Sequence, residues 1–368
     1  MNIISVQLDE RSYPVHIGSG ILSQLGSMVH DVAPASKYFF VLDESIESTH
    51  GQTAMQSFTQ DTDACAIQAV ESNKTMASIQ DIWSAMLTCG CDRTVPLVAL
   101  GGGLVGDVGG FAAATFMRGV PLIQVPTTLL AMVDASIGGK TGINLPMARS
   151  DGQVVLGKNL AGSFWQPQVV VADVDVLQTL DNRQLRCGLA ECVKHAMLGH
   201  DDLMSWIEQH VDAIFDRDAE TMIDLVSQCA TIKAEVVSQD EREAGCRALL
   251  NLGHTFAHAI EPLPELSLFH GEAVSIGLCA SVSCAEAAGM IDADRVDGVR
   301  EILTKLGLPT RLPLPIQVEE LISMMRTDKK SVDASIRLVL PTATGASIVD
   351  GIDDGAIGLA WASVGASV

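Results

Sequence analysis

The chain has 368 residues, of which 48% are hydrophobic and 18% are charged, as in an ordinary globular protein. Since a domain usually holds about 100–200 residues, two domains are expected. The formal net charge of −22 argues against binding to nucleic acid or to anionic membranes, because the long-range field would repel both.

The chain begins with MNIISVQLDE, which lacks the basic start, apolar core and cleavage site of a secretory signal. No apolar run reaches the roughly 18 residues typical of a membrane span. Nine cysteines are present without a CxxC pair, and we interpret them as reduced thiols. These features predict a soluble, cytoplasmic protein.

The first half alternates short apolar strands with helical stretches, a pattern typical of an α/β domain. Strands are predicted at 2–8, 12–18, 38–42, 65–70, 96–100, 121–125 and 168–173. From about residue 183 the period becomes helical, and helices are predicted over Arg183–Leu198, Ala219–Ser238, Leu249–Ile260 and Gly271–Ala288. A last strand, Ile336–Leu340, with a turn at Gly345, predicts a small hairpin. We therefore expect an α/β domain over 1–180 and a mainly α-helical domain over 181–368.

A glycine-rich turn, Gly101–Asp107, lies between a predicted strand and a helix-like segment. Its bare N–H groups can approach a pyrophosphate at the start of the helix, which favours a dinucleotide cofactor. The acidic residue of an ordinary Rossmann unit, expected about 20 residues later, is missing, and a turn needed only for packing is the alternative. Asp43, Glu71–Thr75 and Pro126–Thr128 each follow another predicted strand and strengthen the cofactor interpretation.

Acidic and histidine side chains in the helical half are spaced to share helix faces. Glu191 and Lys194 are three residues apart, and His254 and His258 are four apart. With His270, a glutamate and two histidines would suit zinc or a similar ion with positions open for substrate. Spacing alone does not choose the ligands, since His254 and His258 could be the pair, or either could be a core histidine.

Basic residues are scarce, and many of the 23 lysines and arginines fall within glycine- or histidine-containing motifs. A substrate with two anionic ends would need such a lining, because arginine binds carboxylate or phosphate bidentately and lysine supplies a mobile charge. The candidates are Arg118, Lys140, Lys158, Lys194, Lys233, Arg247, Lys329 and Lys330. One of Lys329 and Lys330 is expected to be a solvated surface residue.

The motifs together resemble the 3-dehydroquinate synthase family, a group of sugar phosphate cyclases of the shikimate pathway, over nearly the whole chain. The segments that carry the resemblance are Gly101–Asp107, Arg118–Gly119, Gln124–Leu130, Val133–Thr141, Gly188–Glu191, Asn251–Glu261, His270–Glu272 and Asp328–Lys330. The resemblance implies a Rossmann-like α/β domain, an α-helical domain, an active site in the cleft between them, and a homodimer.

The resemblance also implies roles for individual residues. The implied metal ligands, for Zn²⁺ or Co²⁺, are Glu191, His254 and His270. The implied NAD contacts are Asp43, Glu71, Lys74, Gly103, Gly106, Asp107, Thr127, Thr128, Lys140 and Thr179. The implied contacts to a small anionic sugar phosphate are Arg118, Asp134, Lys140, Lys158, Asn159, Lys194, Lys233, Arg247, Asn251, Lys329 and Lys330. Catalytic roles are expected for His258, Lys140, Lys194 and Glu243.

The family reaction explains why one site needs both NAD and a metal. A ring alcohol is oxidised, phosphate is eliminated, the ketone is reduced again, and the opened ring closes by an intramolecular aldol step. A metal-dependent alcohol dehydrogenase of the glycerol dehydrogenase type, or another sugar phosphate cyclase, is the alternative. One departure from the family pattern is the stretch Ala148–Leu156 before Gly157-Lys158-Asn159, which is expected to form an outward loop or to reshape the substrate pocket.

Overall fold

The structure is a computed structural model that describes residues 1–148, 154–327 and 336–367. The strands are β1 (Asn2–Val6), β2 (Tyr13–Gly18), β3 (Lys37–Asp43), β4 (Asp61–Ile67), β5 (Leu97–Gly101), β6 (Leu122–Pro126), β7 (Lys140–Ala148), β8 (Val154–Phe164), β9 (Val169–Asp173), β10 (Arg337–Thr342) and β11 (Gly345–Asp350). The helices are α1 (Leu25–Val32), α2 (Gln52–Gln56), α3 (Met76–Thr88), α4 (Gly103–Thr115), α5 (Asn182–Ala196), α6 (Asp201–Gln209), α7 (Val211–Phe215), α8 (Ala219–Gln239), α9 (His254–Ile260), α10 (His270–Ala287), α11 (Ala293–Lys305), α12 (Val318–Thr327) and α13 (Asp354–Ser363).

The chain forms two compact units. The first comprises Met1–Leu180 with Arg217–Arg242, and the second comprises Asp181–Asp216 with Glu243–Val368. The division expected from the sequence, 1–180 and 181–368, therefore needs one correction: α8 belongs to the first unit. Its side chains explain why, since Ser227 and Ser238 accept hydrogen bonds from β1 and the segment that follows it.

The first unit is built on a seven-stranded sheet in the order β1-β2-β9-β6-β5-β3-β4. Strand β1 pairs antiparallel with β2, and the other neighbours are parallel. Strands β5, β6 and β9 are buried along their whole length, as expected for parallel strands covered on both faces. The α/β class predicted for the N-terminal domain is confirmed.

Parallel strands end at a common edge of the sheet, and most of the expected cofactor residues lie there. Asp43 ends β3, Gly101 ends β5 and Pro126 ends β6. The turn Glu71–Asn73 follows β4, and the turn Val174–Thr179 follows β9. In open α/β sheets ligands bind outside the carboxyl ends of the strands, so this edge is where a dinucleotide would be held.

Strands β7 and β8 form an antiparallel hairpin that the sequence reading did not predict as strands. Within the stretch Ala148–Leu156, Ala148 ends β7 and Val154 begins β8, and these two residues pair with each other, as Pro146 does with Leu156. Val154-Val155-Leu156 suits a pleated strand, since branched side chains favour that conformation. Residues 149–153 lie outside the described residues.

The second unit is mainly α-helical, as predicted, and is centred on α10. This helix is buried from Gly271 to Ala285 except at Glu272, and it packs against α5, α9, α11 and α13. Strands β10 and β11 form the C-terminal hairpin expected around Gly345. The helix expected over Leu249–Ile260 is broken: a 3₁₀ turn, Cys246–Asn251, precedes α9. No helix among residues 1–148, 154–327 and 336–367 is long and apolar enough to cross a membrane.

Candidate active site

Glu191, His254 and His270, called here the triad, bring one ligand atom each within 4.8 Å of one another. Glu191 lies in α5, and the two histidines are the first residues of α9 and α10. Glu191 Oε1 is 3.7 Å from His254 Nε2 and 3.3 Å from His270 Nε2. Glu191 is 1% exposed, whereas the His270 side chain keeps 36% exposure, so the triad is open on the side of His270.

Two glycines allow three helix segments to meet at the triad. A Cβ on Gly271 would lie 2.3 Å from Cys187 Cα, so only glycine lets the start of α10 approach α5 this closely. Gly253 adopts φ 77°, a left-handed conformation, and thereby breaks the helix expected over Leu249–Ile260. The break sets His254 at a new helix start, where its ring faces Glu191.

Hydrogen bonds fix the orientation of both triad histidines. His254 Nδ1 donates to Leu252 O at 3.1 Å, and His270 Nδ1 donates to Glu261 Oε1 at 3.2 Å. Each ring therefore turns Nε2 towards Glu191, and the neutral form of each carries its lone pair there. This carboxylate–histidine arrangement is the one that commonly supports metal-binding histidines.

The pKa values of the two histidines in the metal-free triad are shifted in opposite directions. Burial lowers the pKa of His254 to about 3, although Glu191 opposes the shift. Burial also acts to lower the pKa of His270, but its hydrogen bonds to Glu191 and Glu261 outweigh this and raise it to about 10. A proton on His270 therefore partly neutralises the two carboxylates beside it.

The triad fits a divalent metal ion. Zinc binds histidine nitrogen and carboxylate oxygen at about 2.0–2.2 Å in near-tetrahedral geometry, which separates neighbouring ligand atoms by about 3.4 Å. The spacings of 3.3 Å and 3.7 Å from Glu191 Oε1 match this value. Three protein ligands leave a position open, as catalytic zinc sites require.

Two further predicted catalytic residues lie beside the triad. Lys194 is 1% exposed, and its Nζ lies 2.5 Å from Glu191 Oε2, one turn along α5. His258 lies one turn after His254 in α9, and their rings are edge to face with centroids 5.6 Å apart. His258 is only partly buried.

The remaining predicted side chains of the second unit gather in the segment before α9. Asn251 Nδ2 donates to Glu243 Oε1 at 2.7 Å and to Ala248 O at 3.1 Å. Arg247 lies in the same 3₁₀ turn and is fully buried. Glu243 has φ 59°, a left-handed conformation that is uncommon outside glycine and is often found at functional sites.

The predicted lysines of the first unit are placed in different ways. Lys233 on α8 is 5% exposed and donates to the side chain and the backbone oxygen of Asp134. Lys140, at the start of β7, is exposed, and Lys158 on β8 is partly buried. Asp134 lies in the turn Ala131–Ala135, so α8 is held against the segment after β6.

Several predicted cofactor residues are joined in one hydrogen-bonded cluster. Lys74 Nζ donates to Asp107 Oδ2 and to Asn159 Oδ1, both at 2.5 Å. Burial raises the pKa of the Asp107 carboxyl, and the Lys74 ammonium opposes that shift. Glu71 Oε1 accepts a hydrogen bond from Asn144 Nδ2 at 2.7 Å. Asn159, expected to contact substrate, therefore meets Lys74, expected to contact NAD.

Gly103 and Gly106 lie in the first turn of α4, where no side chain caps the free N–H groups. A Cβ on Gly106 would lie 2.8 Å from Gln124 Oε1, so this glycine is also needed for packing. The structure thus supports both interpretations of the glycine-rich turn. Thr127 N donates to Gly101 O, and Thr128 Oγ1 accepts from Ala131 N, which places both threonines beside this turn.

Two predicted cofactor residues lie at the ends of β3 and β9. Asp43 Oδ1 accepts a hydrogen bond from Ser45 N. Thr179 Oγ1 donates to Val176 O and lies 2.8 Å from His50 Nε2. Since a hydroxyl has one proton, His50 Nε2 acts as the donor in that contact.

The last predicted substrate contacts, Arg118, Lys329 and Lys330, are not part of the clusters described above. Arg118 is exposed at the end of a tight turn in which Met117 has φ 48° and Arg118 has φ 70°. No hydrogen bond in the described part of the chain joins Arg118 to the other predicted residues. Lys329 and Lys330 lie outside the described residues.

Sequence reasoning did not single out three side chains that the structure links to the predicted set: Asn144, His50 and Glu261. Glu261 follows His254 by seven residues on the same helical period, a signal that could have found it. Asn144 and His50 gave no comparable signal, because their partners are distant in sequence.

Comparison with known proteins agrees with this architecture. The family model for the 3-dehydroquinate synthase N-terminal region matches residues 64–187, and that for the C-terminal region matches 188–331. A 3-dehydroquinate synthase from Nitrosococcus oceani is 40% identical over 358 residues, covering 96% of each chain.

Two solved structures share the fold. A 2-epi-5-epi-valiolone synthase from Streptomyces hygroscopicus subsp. jinggangensis 5008, with NAD⁺ and Zn²⁺ bound, has a TM-score of 0.86 and 27% identity, covering 97% of this chain and 98% of that one. A probable glycerol dehydrogenase from Sinorhizobium meliloti 1021 has a TM-score of 0.65 and 14% identity, with 95% of each chain covered, and at that identity it shows the fold alone.

The fold and its relatives define an enzyme with the two-domain architecture of the sugar phosphate cyclases. Within that class, the match to a 3-dehydroquinate synthase over nearly the full length of both chains identifies the family. The chain belongs to the 3-dehydroquinate synthase family.

Proposed function

We propose that the protein converts 3-deoxy-D-arabino-heptulosonate 7-phosphate to 3-dehydroquinate and phosphate, with NAD and one divalent metal ion, Zn²⁺ or Co²⁺. One observation carries the proposal. The triad atoms converge within 4.8 Å in a chain 40% identical to a 3-dehydroquinate synthase over nearly its whole length. The bound NAD⁺ and Zn²⁺ of the valiolone synthase structure support the choice of cofactors.

When bound, NAD would supply reversible hydride transfer at a ring alcohol, and the metal would supply Lewis acidity at that hydroxyl. Glu191, His254 and His270 would hold the metal. The carboxyl edge of the sheet would hold NAD, with Asp43 and Thr179 at the ends of their strands and the N-terminus of α4 directed at the pyrophosphate. Glu71, Lys74, Asp107, Thr127 and Thr128 would line the rest of that edge.

The chain's own residues would orient the substrate and move protons. Lysine and arginine side chains, which are few in this acidic protein, would hold its carboxylate and phosphate through the successive steps. The proposed anion contacts are Arg118, Lys140, Lys158, Lys233, Arg247, Lys329 and Lys330. His258 is the proposed acid and base, since an imidazole can both accept and donate a proton and its ring adjoins that of His254.

Lys194 and Glu243 complete the proposed catalytic groups. The Lys194 ammonium lies 2.5 Å from a buried carboxylate oxygen of Glu191 and can orient that ligand electrostatically. Glu243 holds Asn251 by a hydrogen bond and would present it to substrate. Asp134 and Asn159 are further proposed substrate contacts. We also propose a cytoplasmic homodimer, as the family resemblance implies.

Phosphate release with catalytic NAD⁺ tests the proposed function. The metal-loaded protein is given the seven-carbon keto acid phosphate, and phosphate and NADH absorbance are followed together, before and after chelation. Stoichiometric phosphate, no net NADH and loss of activity on chelation are the expected results. NADH accumulating from a simple polyol without phosphate release would instead favour the dehydrogenase alternative. Turnover of another sugar phosphate, with none of the seven-carbon acid, would favour a different cyclase.

A further inference from the structure

The hairpin of β7 and β8 contains a bulge at the residues expected to contact substrate. Ile143 pairs with Ala161, whereas Leu145 pairs with Gly157. Asn144 therefore lies opposite three residues, Lys158 to Leu160, instead of one. Bulges interrupt strand pairing and redirect side chains, and they are frequent beside active sites. Asn159 at the centre has φ 52°, a left-handed conformation that asparagine tolerates better than most residues.

Asn144 supplies the hydrogen bonds that the bulge removes from the ladder. It is 1% exposed, and its Oδ1 accepts the N–H of Asn159 at 2.8 Å. Its Nδ2 donates to Glu71 Oε1 at 2.7 Å, and its own N–H donates to Lys74 O at 2.8 Å. One buried side chain thus joins the bulge to the segment Glu71–Lys74 after β4.

The side chain of Asn159 is held by the same segment, Glu71–Lys74. Lys74 Nζ donates to Asn159 Oδ1 and to Asp107 Oδ2. Asn159 is therefore fixed twice, at its N–H by Asn144 and at its side chain by Lys74. We call Glu71, Lys74, Asp107, Asn144 and Asn159 the Lys74 network.

We propose that Asn144 is a positioning residue that couples the NAD-binding segment Glu71–Lys74 to the bulge carrying Lys158 and Asn159. The proposal rests on the proposed function, which assigns the first segment to cofactor and the second to substrate. Asn144 acts through Glu71, Lys74 and Asn159. A shift of the cofactor segment is passed to the substrate segment through two hydrogen bonds of one rigid amide.

The chemistry of the amide explains why asparagine is needed. The position requires an acceptor facing Asn159 N–H and a donor facing the Glu71 carboxylate. Aspartate would place two carboxylates in contact and raise their mutual repulsion, and leucine would remove the hydrogen bonds to the Asn159 N–H and to the Glu71 carboxylate. Only an amide provides both functions in this volume.

Binding of NAD⁺ tests the coupling independently of turnover. Titration calorimetry with NAD⁺ alone is compared for the parent protein, Asn144→Leu and Asn144→Ser, and the substrate KM and kcat are then measured for each. We expect about a tenfold rise in the NAD⁺ Kd, as loss of buried hydrogen bonds implies, and a larger rise in substrate KM than fall in kcat. A residue that only stabilised the fold would lower the melting temperature without this pattern.

Thr141→Val is the matched control, since Thr141 lies on β7, is 7% exposed and donates to Ser163 O across the same hairpin. It should change the NAD⁺ Kd and the substrate KM less than twofold.

A double-mutant cycle with Asn159→Ala should be non-additive, because Asn144 acts through that residue. Unchanged Kd and KM in Asn144→Ser, or an additive cycle, would overturn the inference. Should Asn144→Leu fail to fold, the serine variant decides. A parent protein that binds no NAD⁺ would remove the proposed function itself.

Discussion

The triad and the Lys74 network are polar clusters built around buried side chains, Glu191 in one unit and Lys74 and Asn144 in the other, but they are stabilised in different ways. In the Lys74 network each carbonyl or carboxylate oxygen named above faces an N–H or ammonium donor. In the triad, three metal-ligating atoms converge, with Glu191 Oε1 only 3.3 Å and 3.7 Å from the two histidine nitrogens. The oxygens of the Lys74 network are thus bound to donors of the protein, whereas the atoms of the triad are also arranged so that a cation can bind them.

The two clusters therefore differ in what organises them: hydrogen bonds within the folded chain organise the Lys74 network, and a bound ion stabilises the triad. A cluster closed by its own hydrogen bonds is organised before any ligand arrives and can position it at little further cost. Binding of an ion to the convergent ligand atoms of the triad stabilises the folded state. Variants in the two clusters should therefore respond differently to metal.

The largest effect is expected from Glu191→Gln. Loss of the carboxylate removes a metal ligand and leaves a neutral amide, so the apparent metal Kd should rise more than about 100-fold, beyond the usual effect of losing an outer-shell partner. Phosphate release should fall with it. Competition against a fluorescent chelator measures the affinity.

Glu272→Gln is the matched control for that variant. Glu272 lies two residues after His270 on α10, but it pairs with Arg183 and offers no atom to the triad. It should keep parental metal affinity. Equal losses in both variants would show that acidic charge in general, and not the triad, governs metal binding.

Lysine removal distinguishes the two clusters directly. Lys194→Met and Lys74→Met each remove a buried ammonium that faces a carboxylate at 2.5 Å. Breaking a buried pair typically costs about 3–5 kcal/mol, and less for Lys74 because Asp107 keeps 23% exposure. Added Zn²⁺ should restore most of the loss in Lys194→Met, since the ion replaces the positive charge beside Glu191, but not in Lys74→Met.

Denaturant unfolding with and without Zn²⁺ measures both losses in free energy. The parent protein under the same two conditions provides the reference for the stabilisation that the metal gives on its own. Rescue of both variants by the ion, or of neither, would contradict the distinction drawn between the clusters.

The sequence predicted the clusters to different extents. The triad could be anticipated because each member lies in a helical motif with a chemically telling residue type. Spacing alone left His258 as a competing ligand, and the choice depends on Gly253 and Gly271, which bring separate helices together. Such a close approach between distant segments has no periodic signal.

Four members of the Lys74 network, Glu71, Lys74, Asp107 and Asn159, were expected to contact ligands, but Asn144 and the hydrogen bonds of the network were not predicted. The bond between Lys74 and Asn159 depends on the bulge in β8, which depends in turn on the register of an unpredicted hairpin. Alternation in 140–164 is weakened by glycines, which carry no side-chain pattern. The α8 segment was misassigned for a similar reason, since its partners lie in β1 and at Asp134.

A smaller effect is expected from Glu261→Gln. Glu261 accepts the His270 Nδ1 proton, and the neutral amide is a weaker acceptor that orients the ring less firmly. The metal Kd should rise about 10-fold, and up to about 100-fold for Glu261→Ala. Glu265→Gln changes an exposed residue four positions further along the chain and should leave the metal Kd unaltered. An unchanged Kd in Glu261→Ala would mean that ring packing alone orients His270.

The smallest effect concerns the buried thiols of α5 and α10, the helices that carry Glu191 and His270. Cys187 lies one turn before Glu191 in α5, and burial raises its pKa to about 11, while burial raises those of Cys279 and Cys284 to about 12. At pH 8 a thiol with a pKa of 11 is only about 0.1% thiolate, so these residues should resist a thiol reagent in the native protein and react only after unfolding.

Peptide mapping after brief labelling would show which sites react, with the more exposed Cys65, Cys89 and Cys246 expected first. Since the thiolate is the form that binds metal, a protonated Cys187 leaves the ion to the carboxylate and imidazoles of the triad. Rapid native labelling of Cys187 that Zn²⁺ suppressed would contradict this, because it would place a thiolate in competition with Glu191 for the ion.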